Sequence, residues 1–180
     1  LRIDMAKPFY INNKDFLKEL IAYKQAVKKA EEENLPKPKL PEYVGKCFMM
    51  IAEKLSHKPN FLSYTFRDEM IADAVENCVM YADSFDPIRS SNPFAYFTQT
   101  VYNAFLRRIK KEKKQLYVKY KSTIAIGILE EYETSDAMGD DGTYKQFEVY
   151  DNIALFVENF EKTIAEKKTK TSVNKTVDDL

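Results

Sequence analysis

The chain has 180 residues, 44% of them hydrophobic and 31% charged, with a formal net charge of zero. Four glycines and seven prolines leave little punctuation for a β protein of many turns, and no apolar run approaches the roughly 18 residues that span a bilayer. Two cysteines, Cys47 and Cys78, cannot build a disulfide framework; they are expected to pack as small apolar side chains in a reducing cytoplasm.

Long runs with helical periodicity favour an all-α architecture. Residues 12–34 open on asparagine and place Phe16, Leu20, Tyr23, Val27 and Ala30 on one face, which predicts an amphipathic helix capped by Asn12. "LPKPKLP" (35–41) cannot continue it, because each proline removes a donor and restricts the residue before it. A second helix is predicted over "EYVGKCFMMIAEKLS" (42–56), with Val44, Cys47, Phe48, Ile51 and Leu55 inward, and 57–64 is read as a loop. A third helix is predicted over 65–84, capped by Thr65. Its wide buried stripe comprises Phe66, Met70, Ala74 and Cys78, flanked by Ile71, Val75 and Val79.

The loop "FDPIRSSN" (85–92) leads to "NPFAYFTQTVYNAFLRRIKKEKK" (92–114). Asn92 is a good cap and Pro93 suits the first helical position. Phe94, Phe97, Val101, Phe105 and Ile109 form a core stripe, while Tyr96, Asn103, Arg107, Lys110 and Lys114 share an outward face. Beyond Lys121, "STIAIGILEEY" is read as strand or extended linker and "TSDAMGDDGT" as an acidic, flexible stretch. A last amphipathic helix is read within 144–168, on Phe147, Tyr150, Ile153, Val157, Phe160 and Ile164, before a polar tail.

Charge is unevenly placed. Eight basic residues against Glu112 alone give residues 107–121 a net charge of +7, and residues 130–141 carry six acids and no base. Helix-end lysines complement the helix dipole, but that does not account for this density beside the outward Tyr96. Basic residues that hold phosphates and an aromatic that stacks on an unpaired base are the pattern of nucleic-acid binding. No phosphate-binding glycine loop, nucleophile elbow or zinc spacing is present, His57 is the only histidine, and "GDDG" (139–142) lacks the spaced ligands of a calcium loop. No enzyme, metal or cofactor is expected.

The order of features over 68–114 resembles the second conserved region of bacterial sigma factors: an acidic helix, a Phe85-Asp86 turn, a short loop, and an aromatic-then-basic helix. "MIAEKLS" (50–56), "NFLSYT" (60–65), "EMIAD" (69–73) and "NPFAYFTQTVYNAFLRRIKKEKK" together resemble the late-transcription sigma factors of T4-like bacteriophages, over about residues 44–120. The resemblance implies a compact helical bundle over 42–121; the residues themselves give an N-terminal helix and linker over 1–41, and an acidic linker, amphipathic helix and polar tail over 122–180. It implies a factor that acts in the cytoplasm of an infected bacterial host. There it would bind the host's core RNA polymerase at the clamp helices of the largest subunit and direct it to late promoters by recognising and opening an AT-rich −10-like element.

Residue by residue, the resemblance implies a polymerase dock at Glu69, Asp73 and Glu76, all expected to be exposed, and DNA contacts by Arg89, Asn92, Tyr96, Tyr102, Asn103, Arg107, Lys110, Lys111 and Lys114. The tryptophan pair with which housekeeping sigma factors wedge the duplex is absent; the matched positions are roughly Thr100 and Val101, and Tyr96 and Tyr102 are candidate substitutes. The family's sliding-clamp-binding tail is hinted at by Val177, Asp178, Asp179 and Leu180, so a sliding clamp and a late co-activator join promoter DNA as implied partners. Two alternatives stand beside this reading. One is a stand-alone helical DNA- or RNA-binding regulator; the other is an inhibitor that binds polymerase without reading DNA.

Overall fold

The computed structural model describes residues 10–126 and 152–166, and every regular element among them is an α-helix. Two compact units are formed, 1–110 and 111–180.

In the first unit, α1 (Asn13–Glu32) starts where the Asn12 side chain accepts a hydrogen bond from the Lys14 N–H at 3.0 Å. It ends where Asn34 adopts a left-handed conformation, φ 53°. Asparagine tolerates that region better than other side-chain-bearing residues, and the turn lets the Leu35 and Asn34 N–H groups donate back to the carbonyls of Ala30 (2.8 Å) and Glu31 (3.3 Å), closing the helix as a Schellman motif. Phe16, Leu20, Tyr23, Val27 and Ala30 are buried, as their spacing predicts. Phe16, Leu20, Tyr23 and Val27 share one core with α2 (Glu42–Ser56).

Helix α2 has the predicted bounds and buries all five predicted residues. Its end is fastened by His57, whose Nδ1 donates to the Glu53 carbonyl at 2.6 Å. The segment read as a loop contains a short helix, α3 (Pro59–Leu62), with proline at the first position, where its missing N–H costs nothing. That turn buries Phe61 edge-on against Tyr102 (5.7 Å) and Phe105 (5.0 Å).

Helix α4 (Arg67–Met80) is shorter than predicted at both ends, and Thr65 lies in the preceding turn instead of capping it. Met70, Ala74 and Cys78 are fully buried, and Ile71 and Val75 are half-buried. Val79 is exposed, because the row Ile71, Val75, Val79 drifts about 40° further round the helix at each step of four, away from the buried stripe. Both cysteines are free and buried, and burial pushes the Cys78 thiol up to about 12, so it behaves as an apolar group.

Helix α5 (Pro93–Ala125) is longer than the sequence suggested: residues 122–125, read as strand or linker, continue it. In the first unit Phe97, Val101, Phe105 and Ile109 are buried, whereas Phe94 is half-buried beneath the exposed Tyr10 ring at 5.7 Å.

The second unit holds the end of α5 and α6 (152–166). Val157 is buried, Phe156 and Phe160 are half-buried, and Ile164 is exposed. Phe147, Tyr150, the acidic stretch and the tail residues Val177 to Leu180 lie outside the described residues.

Truncating a fully buried aromatic leaves a cavity that close packing cannot refill. Phe97→Ala and Phe105→Ala are therefore expected to cost about 3–5 kcal/mol each in urea unfolding followed by circular dichroism, and half-buried Phe94→Ala clearly less.

Candidate nucleic-acid interface

The loop between α4 and α5 is fastened at both ends. At its start Phe85 is buried against Phe97 (6.0 Å) and Tyr96 (5.3 Å), and its carbonyl accepts from Lys24 Nζ of α1 at 2.9 Å. Lys37, in the proline-rich linker, pairs with Asp83 just upstream, and the hydrogen bond from that pairing raises the lysine's pKa. At the far end Asn92 accepts from the Ala95 N–H at 3.1 Å, the predicted cap. A second cap comes from α1: Asn13 Oδ1 accepts from the Phe94 N–H at 3.1 Å, and Asn13 Nδ2 donates to the Ser91 carbonyl at 3.4 Å. Two of the N–H groups orphaned at the start of α5 are thus satisfied by side chains.

Between these anchors the loop folds on itself. Asp86 Oδ1 accepts from the Ile88 N–H (2.9 Å) and the Asp86 carbonyl from the Ser90 N–H (3.1 Å). The tip presents Ile88, 94% exposed, and Arg89, whose loose 3.9 Å approach to Asp86 leaves its guanidinium in water. Ile88 was missed in the sequence, although it is the one branched apolar residue between the polar ends of the loop. The Asn92 side-chain oxygen is committed to the cap, which leaves its amide NH2 as the group able to reach a ligand.

On α5 the predicted residues separate. Tyr96 is half-buried, its ring edge-on to Phe97 at 5.0 Å, and Asn103 is exposed, accepting from Gln99 Nε2 at 3.0 Å. Tyr102 lies about a third of a turn away and leans on Phe61 of α3, so it does not join Tyr96. Val101 is buried and Thr100 is half-buried with its hydroxyl donating to the Tyr96 carbonyl (3.1 Å), so neither occupies the place of a wedge.

The two arginines are held by α4. Arg107 donates to Asn77 Oδ1 at 2.6 Å, and Arg108 Nη1 donates to both oxygens of Asp73, Oδ2 at 3.1 Å and Oδ1 at 3.3 Å. The side chains of Arg108 and Asp73 are 17% and 36% exposed. This corrects the expectation of a fully exposed Glu69, Asp73 and Glu76 stripe: Asp73 sits on the shoulder of the Met70–Ala74 face and is engaged in an internal ion pair. Glu69 and Glu76 are exposed, with Ala72, Val79 and Met80 exposed on the same side of the helix. The pairing was legible in part, since Arg108 follows the buried Ala104 by four positions and must point along the same face.

Lys110 is exposed at the end of the first unit, and Lys111, Lys113 and Lys114 are exposed at the start of the second. Among the described residues none of the four is in an ion pair. Clustered ammonium groups with no carboxylate partner are an electrostatic footprint for a polyanion. Also among the described residues, no group of histidine, cysteine and carboxylate side chains could hold a metal, and no helix is long and apolar enough to cross a membrane. Comparison with models of known protein families and with curated proteins finds no match for the chain.

Because Asp73 is half-buried and both its oxygens accept from Arg108 Nη1, Asp73→Ala is expected to lower stability by about 1–2 kcal/mol in thermal or urea melts. Glu69→Ala and Glu76→Ala should stay within about 0.5 kcal/mol of the parent, as for surface substitutions without partners.

Proposed function

We propose that the chain is a sigma-type initiation factor, encoded by a bacteriophage of the T4-like kind. It binds the host's core RNA polymerase and directs it to late promoters by recognising and helping to open an AT-rich −10-like element. The observation that carries this reading is the loop 86–92: it is anchored at Phe85 and capped at Asn92, and it raises Ile88 and Arg89 into solvent at the head of a helix whose Lys110, Lys111 and Lys114 are exposed and, among the described residues, in no ion pair. A fastened loop can hold a displaced base without the entropic cost of ordering itself at that moment, and unpaired lysines gain by releasing counterions from DNA.

In this reading Arg89, Ile88 and the Tyr96 ring form the surface that meets opened bases, and a stacked base gains about 1–3 kcal/mol against the few kcal/mol that unstacking costs. Lys110, Lys111 and Lys114 hold phosphates, and Asn103 lies on the same outward face. Arg107 acts mainly by tying α5 to α4. The polymerase dock narrows to Glu69 and Glu76, acids that suit a basic partner surface, beside exposed Ala72, Val79 and Met80. The chain contributes recognition and opening, while catalysis stays with the polymerase, in the host cytoplasm. A sliding clamp and a late co-activator are the further partners the family resemblance suggests.

The test is initiation by host core polymerase on a linear template bearing a TATA-like −10 element, with and without the protein. Specific transcripts that depend on the protein are expected. Promoter binding without polymerase would favour a stand-alone regulator, and polymerase binding without initiation an inhibitor. In the same system, replacing Lys110, Lys111 and Lys114 by alanine should flatten the slope of log affinity against log salt by about 2–3, at roughly 0.9 for each phosphate no longer neutralised. An unchanged slope would make these lysines ordinary surface charge.

A further inference from the structure

In the second unit, three residues of α5 are engaged by α6 in a specific way. The Tyr117 ring stacks on Phe160 with centroids 4.6 Å apart and planes 22° from parallel. Tyr120 meets Phe156 edge-on at 5.5 Å. The Tyr117 hydroxyl and the Lys121 ammonium both donate to the same oxygen of Glu161, at 2.8 and 2.7 Å. The Lys121 and Tyr117 hydrogen bonds hold the Glu161 carboxyl below its ordinary range.

A flat ring lying on one tyrosine, with an anionic oxygen bridging that tyrosine and a lysine one turn on, is what a nucleotide offers: a base to stack and a phosphate oxygen to bind. Exposed cations one turn earlier on the same side of α5, Lys113 and Lys114, flank the contact. The cover is also lightly held. The Lys121 and Glu161 side chains are 53% and 45% exposed, where ion pairs contribute little. Within α6 only Val157 is buried, and its Leu155 and Ile164 face solvent.

We propose that α6 imitates a single-stranded nucleic acid and covers a second binding surface, made by Tyr117, Tyr120 and Lys121, from which a single strand displaces it. This goes beyond the promoter reading, since it requires neither polymerase nor a promoter sequence. In the covered state Phe160 takes the place of a base and Glu161 that of a phosphate. In the open state successive bases stack on the tyrosines while Lys121 and its exposed neighbours track the backbone.

The experiment uses the full chain and a fluorescently labelled oligothymidine single strand, without polymerase, followed by anisotropy. Phe160→Ala combined with Glu161→Gln is expected to bind about tenfold more tightly than the parent, the scale of one stacked base uncovered. Glu161→Gln alone, which leaves the rings in place, should shift affinity the same way by less. Adding Tyr117→Ala and Tyr120→Ala to the double variant should abolish the gain. Photo-cross-links from a 5-iodouracil-substituted strand should map to those two tyrosines. A duplex of equal length should gain little, because its bases are not free to stack. The proposal is overturned if uncovering brings no gain, if the gain survives removal of both tyrosines, or if duplex gains as much as single strand. Loss of α6 helicity in a variant does not obscure the result, because it too uncovers the tyrosines. Since the assay contains no promoter, its failure would leave the initiation test untouched.

Discussion

The ring of Phe97 is the constraint on which the first unit depends. It meets Phe16 of α1 at 5.7 Å, Phe48 of α2 at 4.5 Å and Phe85 of the turn after α4 at 6.0 Å, and none of its surface reaches solvent. One side chain near the start of α5 thus fixes two helices and one end of the loop that the proposed function uses. Tilted and edge-on aromatic pairs add to simple area burial. Because packed interiors shift between discrete arrangements instead of deforming smoothly, a loop seated on Phe85 inherits its position from the core.

Helix α1 serves this arrangement more than its place before a proline-rich linker suggests. Beyond Phe16, it sends Lys24 to the Phe85 carbonyl and Asn13 to the start of α5, at opposite ends of the same loop. The linker adds Lys37 on Asp83. Three contacts far apart in sequence therefore hold one short stretch of chain, with Ile88 and Arg89 exposed at its tip.

What the sequence made legible followed from one helix at a time. Periodicity placed the faces of α1 and α2, and Asn92-Pro93 announced the start of α5, because caps and amphipathic stripes are properties of a single segment. What it hid depends on which helix lies opposite. Asp73 reads as one more surface acid until Arg108 is set against it, and Asn13 reads as a helix-start residue of α1 although its side-chain oxygen caps α5. The Pro59 turn escaped notice because four residues are too few to show a period. Phe156 was passed over beside its neighbour Val157, because its role shows only when Tyr120 of α5 is set against it. The candidate site was legible as a list of residue types, but its division was not: the arginines of α5 serve α4, while lysines carry the open charge.

In the proposed function α5 divides its work along its length, with opened bases at its aromatic start and phosphates at Lys110, Lys111 and Lys114. Permanganate reactivity of thymines in the −10 element, measured on linear duplex with host core polymerase, tests it most directly. Strong reactivity is expected with the parent chain and with Tyr96→Phe, which keeps the ring, and clearly lower reactivity with a folded Tyr96→Ala variant. Thymines as reactive with Tyr96→Ala as with the parent would contradict it.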